Sequence, residues 1–150
     1  AVKLTDYQFG GMMEGKVIWK SGFAFDAVTN SGFKLALDTS VDHGGTNTGP
    51  VPMELVLVGL GGCTGMDVIS ILQKKRQDVT GFEVLLHAER SPEHPKVFTE
   101  VVIEYVVTGH NIDPEAAKRA VELSETKYCS VNGMVSKTAR VTTKVTIKEA

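Results

Sequence analysis

Three stretches of alternating apolar and polar positions lie near the start of the chain. Residues 13–20 alternate weakly, 22–28 place Phe23 and Phe25 on one face, and 32–38 do the same with Phe33, Leu35 and Leu37. A period of two marks half-buried strands. Asn30-Ser31-Gly32 has turn chemistry between the last two. The periodicity stops over 39–51, which carries Gly44, Gly45 and Gly49 and reads as a loop. A long apolar run follows, from Met53 to Leu72. Pro52 suits the first turn of a helix and Glu54 in that turn is favoured by the helix dipole, so the run predicts a helix ending near Arg76. A helix apolar nearly all round is expected to be buried on most faces. Gly59, Gly61 and Gly62 each cost roughly 1 kcal/mol relative to Ala in a helix interior. They are read as points where another backbone comes close.

Two further strands, 81–90 and 96–107, flank Ser91-Pro92-Glu93-His94-Pro95 and predict an antiparallel hairpin. Asp113 as N-cap and Pro114 at the first position open a second helix. Ala117, Ala120, Val121, Ser124 and Tyr128 would line its buried stripe. Residues 139–149 alternate Val141, Thr143, Val145 and Ile147 as a last strand. The order βββ-α-ββ-α-β predicts an α+β fold with a mainly antiparallel sheet, as a single domain over 1–150. Residues 1–11 read as an N-terminal extension.

Composition narrows the function classes. The chain has 150 residues, 42% of them hydrophobic, enough for a real core, and a net charge of −2. Its longest run of cations is Lys74-Lys75-Arg76, so no nucleic-acid partner is expected. Two cysteines are too few for a disulfide scaffold. The apolar run is interrupted by Gly59, Gly61, Gly62, Glu54 and Asp67, so neither a membrane span nor a membrane partner is expected. A cytoplasmic location follows as the expectation, and there a disulfide is reasonable mainly as a catalytic one.

The candidate chemistry lies in Cys63, inside the apolar helix, and Cys129, just after the second helix. A peroxide-reducing dithiol needs a reactive thiolate and a second thiol to resolve its sulfenic acid. Cys63 fits the first role, with apolar surroundings for an organic peroxide and glycines that leave room. Burial disfavours a thiolate, so a cation or donor is required beside it. Asp67 falls on the same face four residues on and works against the thiolate unless it is itself paired. Cys129 follows a helix C-terminus, where the dipole disfavours an anion, which suits a resolving thiol. Two inert core cysteines are the plainer alternative. There is no CxxC motif. A zinc site would require His43, His87, His94 or His110 to converge on the cysteines, and their scatter argues against a metal.

Pro52-Met53-Glu54-Leu55, Gly62-Cys63 within a buried helix, and Tyr128-Cys129-Ser130-Val131 after a second helix resemble the OsmC/Ohr family of osmotically inducible and organic hydroperoxide resistance proteins. The likeness runs from about the second strand to the end and is nearest to the OsmC-like branch. It implies an intertwined homodimer, two long central helices crossing at its middle, and two active sites at the subunit interface. By this resemblance Cys63 is peroxidatic, Cys129 is resolving, and Glu54 corresponds to the carboxylate that holds an arginine against the thiol. The implied substrate is an organic hydroperoxide and the implied reductant a dithiol such as dihydrolipoamide, with no cofactor.

Helix geometry bears on Glu54 independently. Nine residues separate it from Cys63, which puts them on opposite faces and roughly 13–14 Å apart along a straight helix. Either the glycines break the helix or Glu54 serves the partner's site; a plain first-turn carboxylate is the third option. The chain departs from the family in having no Arg before Arg76. Lys16, Lys20 and Lys34 are the nearby cations, and none offers the planar five-donor fork of arginine. His43 stands in the loop before the helix. Two competitors follow: a non-catalytic dimer that binds a small apolar or thiol ligand, and acyl transfer by Cys63, which lacks a nearby histidine base.

Overall fold

The computed structural model describes residues 13–150; residues 1–11, read above as an extension, lie outside them. The chain forms two compact units, the first ending at Leu55 and the second covering Val56–Ala150.

In the first unit, β1 (Gly15–Ser21), β2 (Ala24–Thr29) and β3 (Lys34–Leu37) form an antiparallel sheet in that order. Phe25 pairs with Trp19 on one side and Leu37 on the other. The 30–32 turn is confirmed, with Gly32 at φ +92° and Thr29 bonded across it to Phe33. The predicted loop is more ordered than its composition implies. Residues Val41–His43 make one 3₁₀ turn, and the buried Asp38 anchors the segment. Its carboxylate accepts from the backbone of Thr39, Thr46 and Thr48 and from the hydroxyls of Thr46 and Thr48, both at 2.7 Å. The carboxyl is held well below the usual carboxylate range, first by the Thr46 and Thr48 hydroxyls. An apolar cleft of about 330 Å³ lies beside it, lined by Val17, Phe23, Phe25, Leu37, Asp38, Thr39 and Pro52.

Helix α1 (Pro52–Lys74) is unbroken, so its glycines do not interrupt it. In the second unit it packs on a sheet of order β4-β5-β6: β4 (Asp78–Arg90), β5 (Phe98–His110) and β6 (Arg140–Glu149). The β4–β5 hairpin is antiparallel as predicted. The crossover to β6 makes a parallel pair, so the fold is α+β and mainly antiparallel, with one exception. The inward positions of β5, Val101, Ile103, Tyr105 and Val107, form much of the core.

Within the single chain α1 is buried along one stripe, where burial on most faces was expected. Leu60, Gly61, Thr64, Gly65, Val68 and Leu72 form one buried stripe, while Val56, Val58 and Met66 are exposed in the single chain. The glycine reading is corrected as well. A Cβ at Gly61 would lie 2.6 Å from Leu86 Cδ1 and one at Gly65 3.3 Å from Val84, so strand side chains approach there, not backbone. Gly59 and Gly62 meet nothing within 4 Å. By length and composition α1 is long and apolar enough to cross a membrane. Its glycines are no obstacle to that; its buried stripe and hydrogen-bonded Thr64 instead make it the core helix of this unit.

Asp38 generates a prediction. Its depressed pKa means that the unfolded chain takes up the proton first as pH falls. The stability it supplies is therefore complete above the unfolded value of 3.8 and is lost as pH drops toward the folded value. Asp38→Asn is expected to melt at lower temperature than the parent at neutral pH, with the gap closing below about pH 4. A gap that stays constant down to pH 2, followed by circular dichroism, would count against the Asp38 anchor.

Candidate functional site

The second helix begins as the sequence indicates. Asp113 caps α2 (Pro114–Leu123), its carboxylate accepting from Glu115 N at 3.0 Å. The 3.6-residue pattern then fails. Residues Ser124–Tyr128 form a π-turn, closed by Cys129 N donating to Ser124 O at 2.8 Å, and a short helix α3 (Ser130–Val135) follows. Ala117, Ala120, Val121 and Ser124 are buried as expected, but Tyr128 is exposed. The wider turn carries Tyr128 outward and brings Cys129, five residues after Ser124, into the interior.

Cys129 directly follows the end of that turn, as the sequence indicates, and is at once the N-cap of α3, its Sγ accepting from Asn132 N at 3.4 Å. Burial nonetheless dominates and pushes its thiol up to about 11. The Asn132 N–H opposes this, while Cys63 and then Asp67 add to it.

Cys63 and Asp67 occupy successive turns of α1 and face Cys129. The two sulfurs and an Asp67 carboxylate oxygen all lie within 4.8 Å of one another, with Cys63 and Asp67 half-buried and Cys129 buried. Asp67 is paired, but by hydroxyls instead of a cation. Ser124 Oγ donates to Asp67 Oδ2 at 2.9 Å, Thr64 Oγ1 lies 2.8 Å from Ser124 Oγ, and Tyr105 OH lies 2.6 Å from Thr64 Oγ1. Each hydroxyl has one proton. Because Ser124 donates to Asp67, Thr64 must donate to Ser124 and Tyr105 to Thr64. The chain therefore has one direction, from a Tyr105 that is 1% exposed to the carboxylate beside the thiols. Burial raises the Tyr105 hydroxyl to about 12, which keeps it a donor.

The other sequence candidates fall elsewhere. Glu54 is exposed and its Oε2 accepts from Val51 N at 2.8 Å, as a third-position carboxylate reaching back to the N-cap. Since α1 is continuous, Glu54 stays on the far face from its own Cys63. Lys20 pairs with Asp26 at 3.3 Å, both largely exposed, and Lys34 is an exposed strand residue. His43 is tied to Ser40, His87 to Glu89, and His110 lies 4.0 Å from Glu149. Arg90 donates to the Lys96 carbonyl, Arg119 pairs with Glu122 and Arg140 with Glu100, so these guanidiniums are engaged away from the thiols.

Fold and site together define an α+β protein with a dithiol held beside a half-buried, oriented carboxylate. The chain belongs to the OsmC-like protein family, matching it over residues 45–144. Protein YhfA of Escherichia coli strain K12 is 42% identical over 130 residues, 87% of this chain and 94% of that protein. A hypothetical protein from Aquifex aeolicus VF5 is similar in structure, with a TM-score of 0.83 at 33% identity, over 94% of this chain and 99% of that one. An organic hydroperoxide resistance protein OsmC from Legionella pneumophila has the same fold, with a TM-score of 0.69 at 17% identity over 91% and 97% of the two chains.

Two predictions follow from this geometry. Iodoacetamide labelling of Cys129 in the native protein should stay slow at pH 8 and climb only toward pH 11, shifting down to the ordinary cysteine range in denaturant. The raised pKa has the opposite sign to that of Asp38: the unfolded thiol ionises first, so stability falls as pH rises from about 9 to about 11. Native labelling at the free-cysteine rate would exclude the buried N-cap position. Ser124→Ala removes the hydroxyl that links Thr64 to Asp67 and should cost about 1–3 kcal/mol in urea unfolding. A loss under about 0.5 kcal/mol would mean that the hydroxyl chain is not a structural unit.

Proposed function

We propose that the protein reduces organic hydroperoxides through Cys63 and Cys129. The observation that carries this reading is that sulfurs 66 positions apart in sequence lie within 4.8 Å of each other. The Cys63 thiolate attacks the peroxide O–O bond; the bond breaks, an alcohol leaves, and Cys63 becomes a sulfenic acid. Cys129 then attacks that sulfur, forming the disulfide and releasing the oxygen as water. A dithiol such as dihydrolipoamide restores both thiols by exchange. Cys129 keeps its proton at neutral pH because it is buried, which suits the second, resolving role. Asp67, near both sulfurs, can take the Cys129 proton during resolution.

The reading extends to assembly. The exposed Val56, Val58 and Met66 on α1 are the kind of apolar face that a second copy covers, which supports an intertwined homodimer built as one domain per chain. In such a dimer Glu54, unable to reach its own Cys63, serves the partner's site. The name of the Legionella pneumophila relative supports the hydroperoxide substrate class. The proposed location is cytoplasmic, where the reductant would keep the pair reduced between turnovers.

The test is peptide mass spectrometry of the reduced protein before and after stoichiometric cumene hydroperoxide. A Cys63–Cys129 disulfide should form within seconds and disappear with dihydrolipoamide, and Cys129→Ser should stop at a Cys63 sulfenic acid trapped by dimedone. Thiols that stay free over minutes would overturn the reading in favour of a non-catalytic dimer that binds a small apolar or thiol ligand.

A further inference from the structure

The three donors around the dithiol have a chemistry that peroxide reduction does not exhaust. Cys63 and Asp67 are four apart on one face of a rigid helix, and Cys129 reaches them from a separate segment, the N-cap of α3. All three donor atoms lie within 4.8 Å of one another. Tetrahedral coordination, with metal–sulfur bonds near 2.3 Å and metal–oxygen bonds near 2.1 Å, needs ligand separations of about 3.5–3.8 Å. Closing the triangle takes about 1 Å of side-chain movement. The carboxylate is already oriented: Ser124 occupies Oδ2 through the one-way chain from Thr64 and Tyr105, leaving Oδ1 as the freer oxygen. Outer hydrogen bonds of this kind position ligands at metal centres. The half-exposed side at Cys63 provides entry and a fourth position for water.

We propose that the reduced protein binds one thiophilic divalent ion of the Zn²⁺ type through Cys63 Sγ, Cys129 Sγ and an Asp67 oxygen. Two sulfur donors select such ions over Mg²⁺ and Ca²⁺, which prefer oxygen. Binding takes both sulfurs as thiolates, so the buried Cys129 gives up its proton to solvent and no electron moves. The bound ion caps both sulfurs, shielding them from alkylating agents and from peroxide. A Cys63–Cys129 disulfide removes two of the three ligands, so the oxidised chain has no site. The proposal does not depend on peroxidase turnover and can stand if that reading fails.

Reduced full-length protein titrated with Co²⁺ under anaerobic conditions should take up one ion per chain and develop thiolate-to-cobalt charge-transfer absorption. Zn²⁺ should then displace the cobalt. Zn²⁺ addition to the apo protein should release protons and block iodoacetamide labelling of Cys63. Ser124→Ala, which removes the hydroxyl bonded to the Asp67 carboxylate but no ligand, should weaken Zn²⁺ binding about 10- to 100-fold, and Asp67→Asn should weaken it further. The reduced and oxidised wild-type proteins provide a comparison free of any folding defect. Absence of the charge-transfer band, equal Zn²⁺ binding by the oxidised chain, or an affinity untouched by Asp67→Asn would each overturn the site.

Discussion

The second unit depends on how closely α1 lies against its sheet. Gly61 and Gly65 present no side chain where Leu86 and Val84 press in, and a Cβ at Gly61 would sit 2.6 Å from a leucine methyl. That approach brings Thr64 within hydrogen-bond distance of Tyr105. Once Thr64 is fixed, helix geometry sets the rest: Cys63 is adjacent and Asp67 is one turn on. The packing of two glycines thus places the thiol and the carboxylate, and Ser124 then holds the carboxylate where it stands.

The polar chain in this core would be costly if any link were missing, since each of its hydroxyls is buried. It is complete because its end is a carboxylate, which accepts without having to donate. This explains why a negative group stands beside two thiols that gain nothing from it electrostatically. Asp67 terminates the hydrogen bonding of the core and faces the dithiol at the same time.

The strands, the N-cap at Asp113, the hairpin and the position of α1 were legible in the sequence because each has a local cause: a period of two, a capping side chain, a turn-forming run. Cys63 and Cys129 were legible as a candidate pair from their settings beside two helices, and the resemblance strengthened that reading, but nothing in their spacing brings them together. Asp67 was visible at the right helical offset, and Ser124 stood as a polar residue on an otherwise apolar stripe. Tyr105, alternating with valines on a buried strand, carried a phenol that had to find a partner. What joined these residues was the crossover from β5 to β6, a long-range pairing that no local pattern encodes.

The π-turn at Ser124–Tyr128 takes one more residue than an α-turn to complete its circuit. Its effect is that of a one-residue insertion, which exchanges the places of two neighbours: the tyrosine goes to the surface and the cysteine comes inside. A chain shortened by one residue here could keep its helices, its sheet and its first thiol, yet send the second thiol into solvent. Whether the two sulfurs meet is thus settled by the length of one turn, a quantity that varies in whole residues and cannot be adjusted by degrees.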